Sequence, residues 1–215
     1  MGGVLAIDRL LEIEHDDAVE TRATKYYRFY QYVKSALLFS TDADLTGAAT
    51  KTLNRVLELG GNFGDAFMQQ EVPRLLELLR NEKDFNRYGA VLILKAFARY
   101  FSHQFSTFVD VVLEWIWTPL RDSRAYIREA GADLLASCFD VVGGRPEQGL
   151  SVSAAKILRE SIQGLRSTQV DVIHGSLLAY RVILLHSASV CELGKNADVL
   201  LLTMSRTTRS SLVYQ

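Results

Sequence analysis

Gly89-Ala90-Val91-Leu92-Ile93-Leu94-Lys95-Ala96-Phe97-Ala98 opens with two small residues, then sets apolar ones five, eight and nine places after the first. Steps of three and four between apolar positions mark one face of a helix. A pair of residues without bulk lets a second helix approach the backbone closely. The same template fits the chain five times, at Gly2-Gly3, Ala48-Ala49, Gly89-Ala90, Ala130-Gly131 and Gly175-Ser176, spaced 46, 41, 41 and 45 residues apart. Offset five holds Ile7, Leu53, Leu94, Leu135 and Tyr180; offset eight holds Leu10, Val56, Phe97, Cys138 and Ile183; offset nine holds Leu11, Leu57, Ala98, Phe139 and Leu184. Helical amphipathicity alone fixes a 3.6-residue period and not the place of the small pair, so the recurrence is a repeat.

A period of 40 to 47 residues is that of stacked helix pairs. The chain reads as all-α, a HEAT-type α-solenoid of about five antiparallel helix pairs, incomplete at both ends. Residues 1–190 form the solenoid and 191–215 a divergent or poorly ordered tail. Outer partners of the five inner helices are expected at 18–39, 64–80, 103–118 and 151–167, with the tail a doubtful fifth. Short polar breaks at Thr41–Asp44, Asn81–Asp84, Arg121–Ser123 and Ser167–Gln169 supply caps. Gly60-Gly61-Asn62-Phe63-Gly64 is a turn, and Val142–Gly149 the longest loop. Pro73 predicts a kink or break near Val72. The first inner helix has no outer partner ahead of it, which leaves an apolar face open. A solenoid needs capped ends, so the sequence reads as a piece of a longer protein, or as a chain whose ends something else covers.

Composition narrows the function. Lys plus Arg number 24 against 25 Asp plus Glu, a balance without the field that recruits nucleic acid or an anionic membrane. No window approaches the roughly 18 apolar residues of a membrane span, and the start lacks the basic region of a secretory signal. The expectation is a soluble, intracellular chain. Cys138 and Cys191 support neither a disulfide framework nor a four-ligand zinc site. His15, His103, His174 and His186 are scattered, so no metal site is expected, and His174 reads as a partly buried structural residue. Cys138 sits at a core position as a small hydrophobe. Neither a phosphate loop nor a catalytic constellation stands out, and no catalytic, cofactor-binding or metal residue is assigned.

Candidate contact residues are aromatic. Tyr26, Tyr27, Phe29, Tyr30 and Tyr32 crowd one helix too densely for all to be buried. Trp115 and Trp117, two apart, point to opposite sides of a helix, so at most one faces the core. Tyr26, Tyr27, Tyr30, Trp115 and Trp117 are therefore the candidate partner-contact surface, with packing between repeats as the alternative for each.

Six fragments in order carry a family resemblance: Gly2-Gly3-Val4-Leu5-Ala6-Ile7-Asp8, Arg28-Phe29-Tyr30-Gln31-Tyr32-Val33-Lys34, Gly89–Lys95, Trp117-Thr118-Pro119-Leu120-Arg121-Asp122, Ile127-Arg128-Glu129-Ala130 and Ile173-His174-Gly175-Ser176-Leu177-Leu178. Together they resemble the amino-terminal HEAT region of the target-of-rapamycin (TOR) Ser/Thr protein kinases, fungal members especially, over about residues 2 to 187. The resemblance implies a non-catalytic segment of a phosphatidylinositol-3-kinase-related kinase whose catalytic domain is elsewhere. It implies a scaffold for TOR complex 1 in growth signalling, with protein partners: a raptor-type subunit, a Rheb-like GTPase and the rest of the TOR chain. It also implies a cytoplasmic place, peripheral to vacuolar or lysosomal membranes. The alternative is a free-standing HEAT or armadillo adaptor, which a ladder of Asn or Arg at one repeat position would favour; only Arg87 and Arg128 occupy matching places. An all-helical hydrolase is a distant third.

Overall fold

The computed structural model describes residues 2–12, 19–60, 63–143 and 150–190, and among these there is no strand. The helices are α1 (Gly2–Leu10), α2 (Val19–Phe39), α3 (Ala43–Gly60), α4 (Asp65–Leu78), α5 (Asp84–Tyr100), α6 (Ser102–Phe105), α7 (Val109–Trp115), α8 (Trp117–Leu120), α9 (Ala125–Gly143), α10 (Leu150–Gly164) and α11 (Val170–Val190). The tail 191–215 and most of the long loop, 144–149, lie outside the described residues, as do residues 61 and 62 of the glycine turn.

Helices α1, α3, α5, α9 and α11, which carry the small pairs, pack in succession as an inner row. Against them lie α2 on α3 and α5, α4 on α5, α7 and α8 on α9, and α10 on α11. This is the alternation of an α-solenoid. Asp42 caps α3, accepting the Asp44 N–H at 2.9 Å, while Asn81, Asp122 and, through its hydroxyl, Ser167 accept the backbone N–H two residues on, at 3.0, 2.9 and 3.1 Å, and so close the turns that lead into α5, α9 and α11. Gly64 caps α4 at φ 86°, a left-handed backbone that favours glycine.

The core follows the repeat offsets. Leu53, Leu94, Leu135, Val56, Phe97 and Cys138 are wholly buried, as is Ala49 of a small pair. Three of the small pairs admit a close neighbour, whereas Gly2 and Gly3 have nothing within 4 Å of their Cβ positions. A Cβ on Gly89 would stand 2.6 Å from the Leu37 carbonyl oxygen of α2, and one on Gly131 3.1 Å from Pro119. One on Gly175 would stand 1.6 Å from the Leu120 oxygen of α8. Leu10 and Leu184 depart from the pattern: both are exposed although they hold core offsets, and they lie in the first and last inner helices.

One expectation is narrowed and one corrected. Of the kink or break expected near Val72 there is no break, and α4 runs through Pro73. Pro73 removes the N–H that would bond the Gln69 carbonyl, and both residues lie on the exposed side of α4, where water can take that oxygen. The outer helix expected at 103–118 is three short ones, α6, α7 and α8. Pro119 is buried and has no N–H for the Trp115 carbonyl, so the ladder lapses at Ile116 and resumes with Leu120 N–H to Ile116 at 3.2 Å.

Candidate interaction surface

Of the candidate aromatics, Tyr30 is the most enclosed, with no exposed surface. Its ring lies 5.1 Å from Phe67 and 5.9 Å from Phe97, joining α2, α4 and α5. Its hydroxyl donates to Glu71 at 3.1 Å, and Lys34 reaches the same carboxylate at 3.0 Å. Burial, then the Glu71 charge, pushes the Tyr30 phenol well above its ordinary value. Tyr26 is also buried, edge-on to Phe29. Packing therefore claims Tyr26 and Tyr30, which cannot meet a partner in this fold. The α2 face that holds them is covered by α3, whose Gly60 lies against Tyr26, and by α4 and α5 around Tyr30, something the local period of α2 does not reveal.

Tyr27 is 44% exposed and rests edge-on against Phe63 and Phe67. Trp115 and Trp117 are both half-buried against the core. Ile116 between them keeps a helical backbone at φ −60°, ψ −29°, so the two rings stay on different sides of the segment and each is buried only in part. Each indole carries a guanidinium over its face: Arg80, in the turn after α4, lies 3.9 Å from the Trp115 ring and Arg121 4.7 Å from that of Trp117. What remains accessible is two separate places, Tyr27 near the start of α4 and, past its other end, Trp115 and Trp117 stacked under arginines.

The arginines at the matching repeat position are spent internally. Arg87 donates through Nη1 to the Asn81 and Glu82 carbonyls at 2.9 Å each, and through Nε and Nη2 to both oxygens of Asp122, at 2.5 and 3.1 Å. Arg128 repeats the pattern one unit later, with Nη1 on the Asp122 carbonyl and on Asp171, each at 2.6 Å, and Nε on His174 Nδ1 at 2.9 Å. The carboxylate hydrogen bond, against a smaller cost of burial, raises Arg87 above its ordinary value. A fork buried on a carboxylate of the next unit is a structural tie and offers no donor to a peptide. His174 is half-buried, in the structural role expected of it. The sequence signal for these ties is the residue that closes the turn, Asn81 or Asp122, six places ahead of each arginine.

Chemistry is sparse in what the structure describes. Cys138 is buried, and burial pushes its thiol up, away from the nucleophilic form. Among the described residues no three His, Cys, Asp or Glu side chains gather as metal ligands, and no helix is long and apolar enough to cross a membrane. Fold and surface together define a HEAT-type helical array whose polar clusters tie one unit to the next.

No family model matches the chain. It is 33% identical over 189 residues to the Ser/Thr-protein kinase tor1 of Schizosaccharomyces pombe, covering 87% of this chain and 8% of that protein. Over 181 residues it is 30% identical to the Ser/Thr-protein kinase TOR of Arabidopsis thaliana (83% and 7%), and over 193 residues 26% identical to TOR2 of Saccharomyces cerevisiae (86% and 8%). The chain is homologous to one short segment of the TOR Ser/Thr protein kinases, and it spans less than a tenth of the length of these relatives.

Proposed function

We propose that this chain is a non-catalytic protein-interaction scaffold, the HEAT segment of a TOR-type kinase of the phosphatidylinositol-3-kinase-related class, whose phosphotransfer is carried out elsewhere in a longer protein. The observation that carries the reading is homology over more than four-fifths of this chain to less than a tenth of each kinase. What the segment supplies is surface. The partners follow from the resemblance: a raptor-type subunit, a Rheb-like GTPase and the remainder of the TOR chain, in a cytoplasmic complex peripheral to vacuolar or lysosomal membranes.

The contact surface takes in both places, Tyr27 and the arginine-stacked Trp115 and Trp117, since tryptophan, tyrosine and arginine dominate interface hot spots. Pull-down of a raptor-type subunit by the TOR-length protein tests it. Tyr27→Ala, Trp115→Ala and Trp117→Ala should each weaken retention while the helical circular dichroism is kept. Full retention by all three removes this surface from the proposal. The free-standing adaptor is the weaker reading, because Arg87 and Arg128 are engaged inside the fold.

A further inference from the structure

Arg80, Arg121 and Arg166 each stand nine places before the first residue of a small pair, at Gly89, Ala130 and Gly175, and so recur at 41 and 45 residues. They fall outside the helical template, which is why a comparison of helix positions finds only Arg87 and Arg128. They sit in the turns that lead into α5, α9 and α11, and those turns are built alike. The N–H of the next residue, Asn81, Asp122 or Ser167, donates to the Leu78, Pro119 or Gly164 carbonyl three places back, at 3.1, 3.2 and 3.1 Å. The side chain of that residue then accepts the N–H two places on. In the turn before α3, Phe39 holds the arginine's place, so the ladder starts at the end of α4.

All three side chains are exposed, and among the described residues none of them makes an ion pair. That sets them apart from Arg87, Arg124 and Arg128, which are held by Asp122, Asp84 and Asp171. With those acids engaged, Glu82 is what the turns leave against Arg80, Lys83, Arg121 and Arg166, and the edge is basic. Two of the guanidiniums are also held in place. Trp115 carries Arg80 and Trp117 carries Arg121 on the ring face, and a stacked guanidinium keeps its N–H donors free in its own plane.

We infer that this edge binds an extended acidic segment of a partner protein, one carboxylate to each arginine. Packed helices lie about 8–10 Å apart, and equivalent turns of successive units recur at about that step. A polyproline II segment advances about 9.3 Å in three residues and returns to the same face, so acids at every third position meet successive arginines. Each guanidinium fork takes a carboxylate by two parallel hydrogen bonds. An anionic membrane is the poorer match, since lipid-binding clusters gather about four to eight cations and this edge spaces out three. The inference extends the tryptophan part of the contact surface proposed above to the end of α10, and rests on that reading for the part at Trp115 and Trp117.

Fluorescence anisotropy of the 215-residue chain with a labelled peptide of repeated Glu-Pro-Ala tests the inference. The spaced peptide should bind more tightly than one of the same composition with its glutamates adjacent, and its affinity should fall as salt is raised. Arg80→Ala, Arg121→Ala and Arg166→Ala should each weaken it about fivefold, with helical circular dichroism kept because all three side chains are exposed. Arg166→Glu should be rescued by a lysine in place of the glutamate at one end of the peptide. No binding, equal binding of the two peptides, or a spaced peptide indifferent to Arg166 overturns the inference, as does binding to phosphatidylserine vesicles without binding to the peptide. The two readings fail separately. Peptide weakened by Arg166→Ala while the tryptophan variants fully retain a raptor-type subunit keeps the ladder and removes the surface; the reverse pattern keeps the surface and overturns the ladder.

Discussion

Gly175→Ala and Gly47→Ala are the same substitution in two helices, and the structure gives them opposite signs. In an exposed helix, alanine in place of glycine gains about 0.5–1 kcal/mol through backbone entropy. Gly47 of α3 has nothing within 4 Å of its Cβ position, so it should realise that gain. Gly175 collides instead: its Cβ would lie 1.6 Å from the Leu120 oxygen, which must retreat by about 1.8 Å to reach ordinary contact at 3.4 Å. That oxygen belongs to a backbone held on its other side, where Pro119 and the Leu120 N–H bear on Gly131 of α9. Overpacking of this kind costs about 1–3 kcal/mol or more, so the helix gain is outweighed and a net loss near 2 kcal/mol is expected. At about 2–4 °C per kcal/mol for a chain of this size, Gly175→Ala should lower the melting temperature by roughly 4–8 °C. Gly47→Ala should raise it by about 1–4 °C on the same scale. Thermal circular dichroism of the two variants beside the wild type reads both shifts. A Gly175→Ala protein melting at or above the wild type would refute the claim that these small pairs are packing contacts.

Other expectations follow from particular contacts. Arg87→Ala strips the buried Asp122 of its partner and should cost about 3–5 kcal/mol; the double variant Arg87→Leu with Asp122→Ala, read by urea denaturation, should recover part of that loss. The phenol of Tyr30 is held above its ordinary value by burial and by Glu71. The folded state therefore favours its neutral form, and that stability is complete below the ordinary phenol range near 10 and declines as pH rises through it. Tyr30→Phe should lose about 1.5–3 kcal/mol at neutral pH through the charge-assisted hydrogen bond and show a shallower decline between about pH 9 and 11; identical slopes would reject the coupling. Trp115→Ala removes the ring under Arg80 and should cost about 1–2 kcal/mol, visible as faster amide exchange where α4 meets α7.

The inner row was readable in the sequence because its information is local. A small pair and three apolar offsets lie within one helix, and Gly89, Gly131 and Gly175 meet neighbours at the places their spacing predicts. What escaped depends on contacts between units. The density of rings on α2 indicates that some are exposed, but whether Tyr30 or Tyr32 faces inward is decided by how α4 and α5 lie on it. Trp115 and Trp117 were read on one uninterrupted helix. Pro119 was in plain view, yet its consequence runs four residues back to the Trp115 carbonyl, and the helical backbone kept at Ile116 leaves each ring buried only in part. Pro73 shows the converse: the same missing donor is tolerated where the orphaned carbonyl can be hydrated. Leu10 and Leu184 satisfy the pattern and are nonetheless exposed, since an offset names a face and only a neighbour buries it.

The polar ties have a consequence for how the array behaves as a whole. A stack in which each unit touches only its neighbours has a stability close to a sum of unit and interface contributions, so whatever strengthens one interface also divides the array unevenly. Arg87 and Arg128 bind the unit of α5 to that of α9 and the unit of α9 to that of α11, each with a largely buried guanidinium on a carboxylate. Between α1 and α3 the link is Arg55 to Asp8, about one-third exposed on both sides, and such pairs contribute at most about 1 kcal/mol. The weakest of these links therefore falls at α1. Opening there breaks the fewest strong contacts. Amide exchange should accordingly be fastest in α1 for the isolated chain. If α9 opened before α1, the ties drawn by Arg87 and Arg128 would not be what holds the stack together.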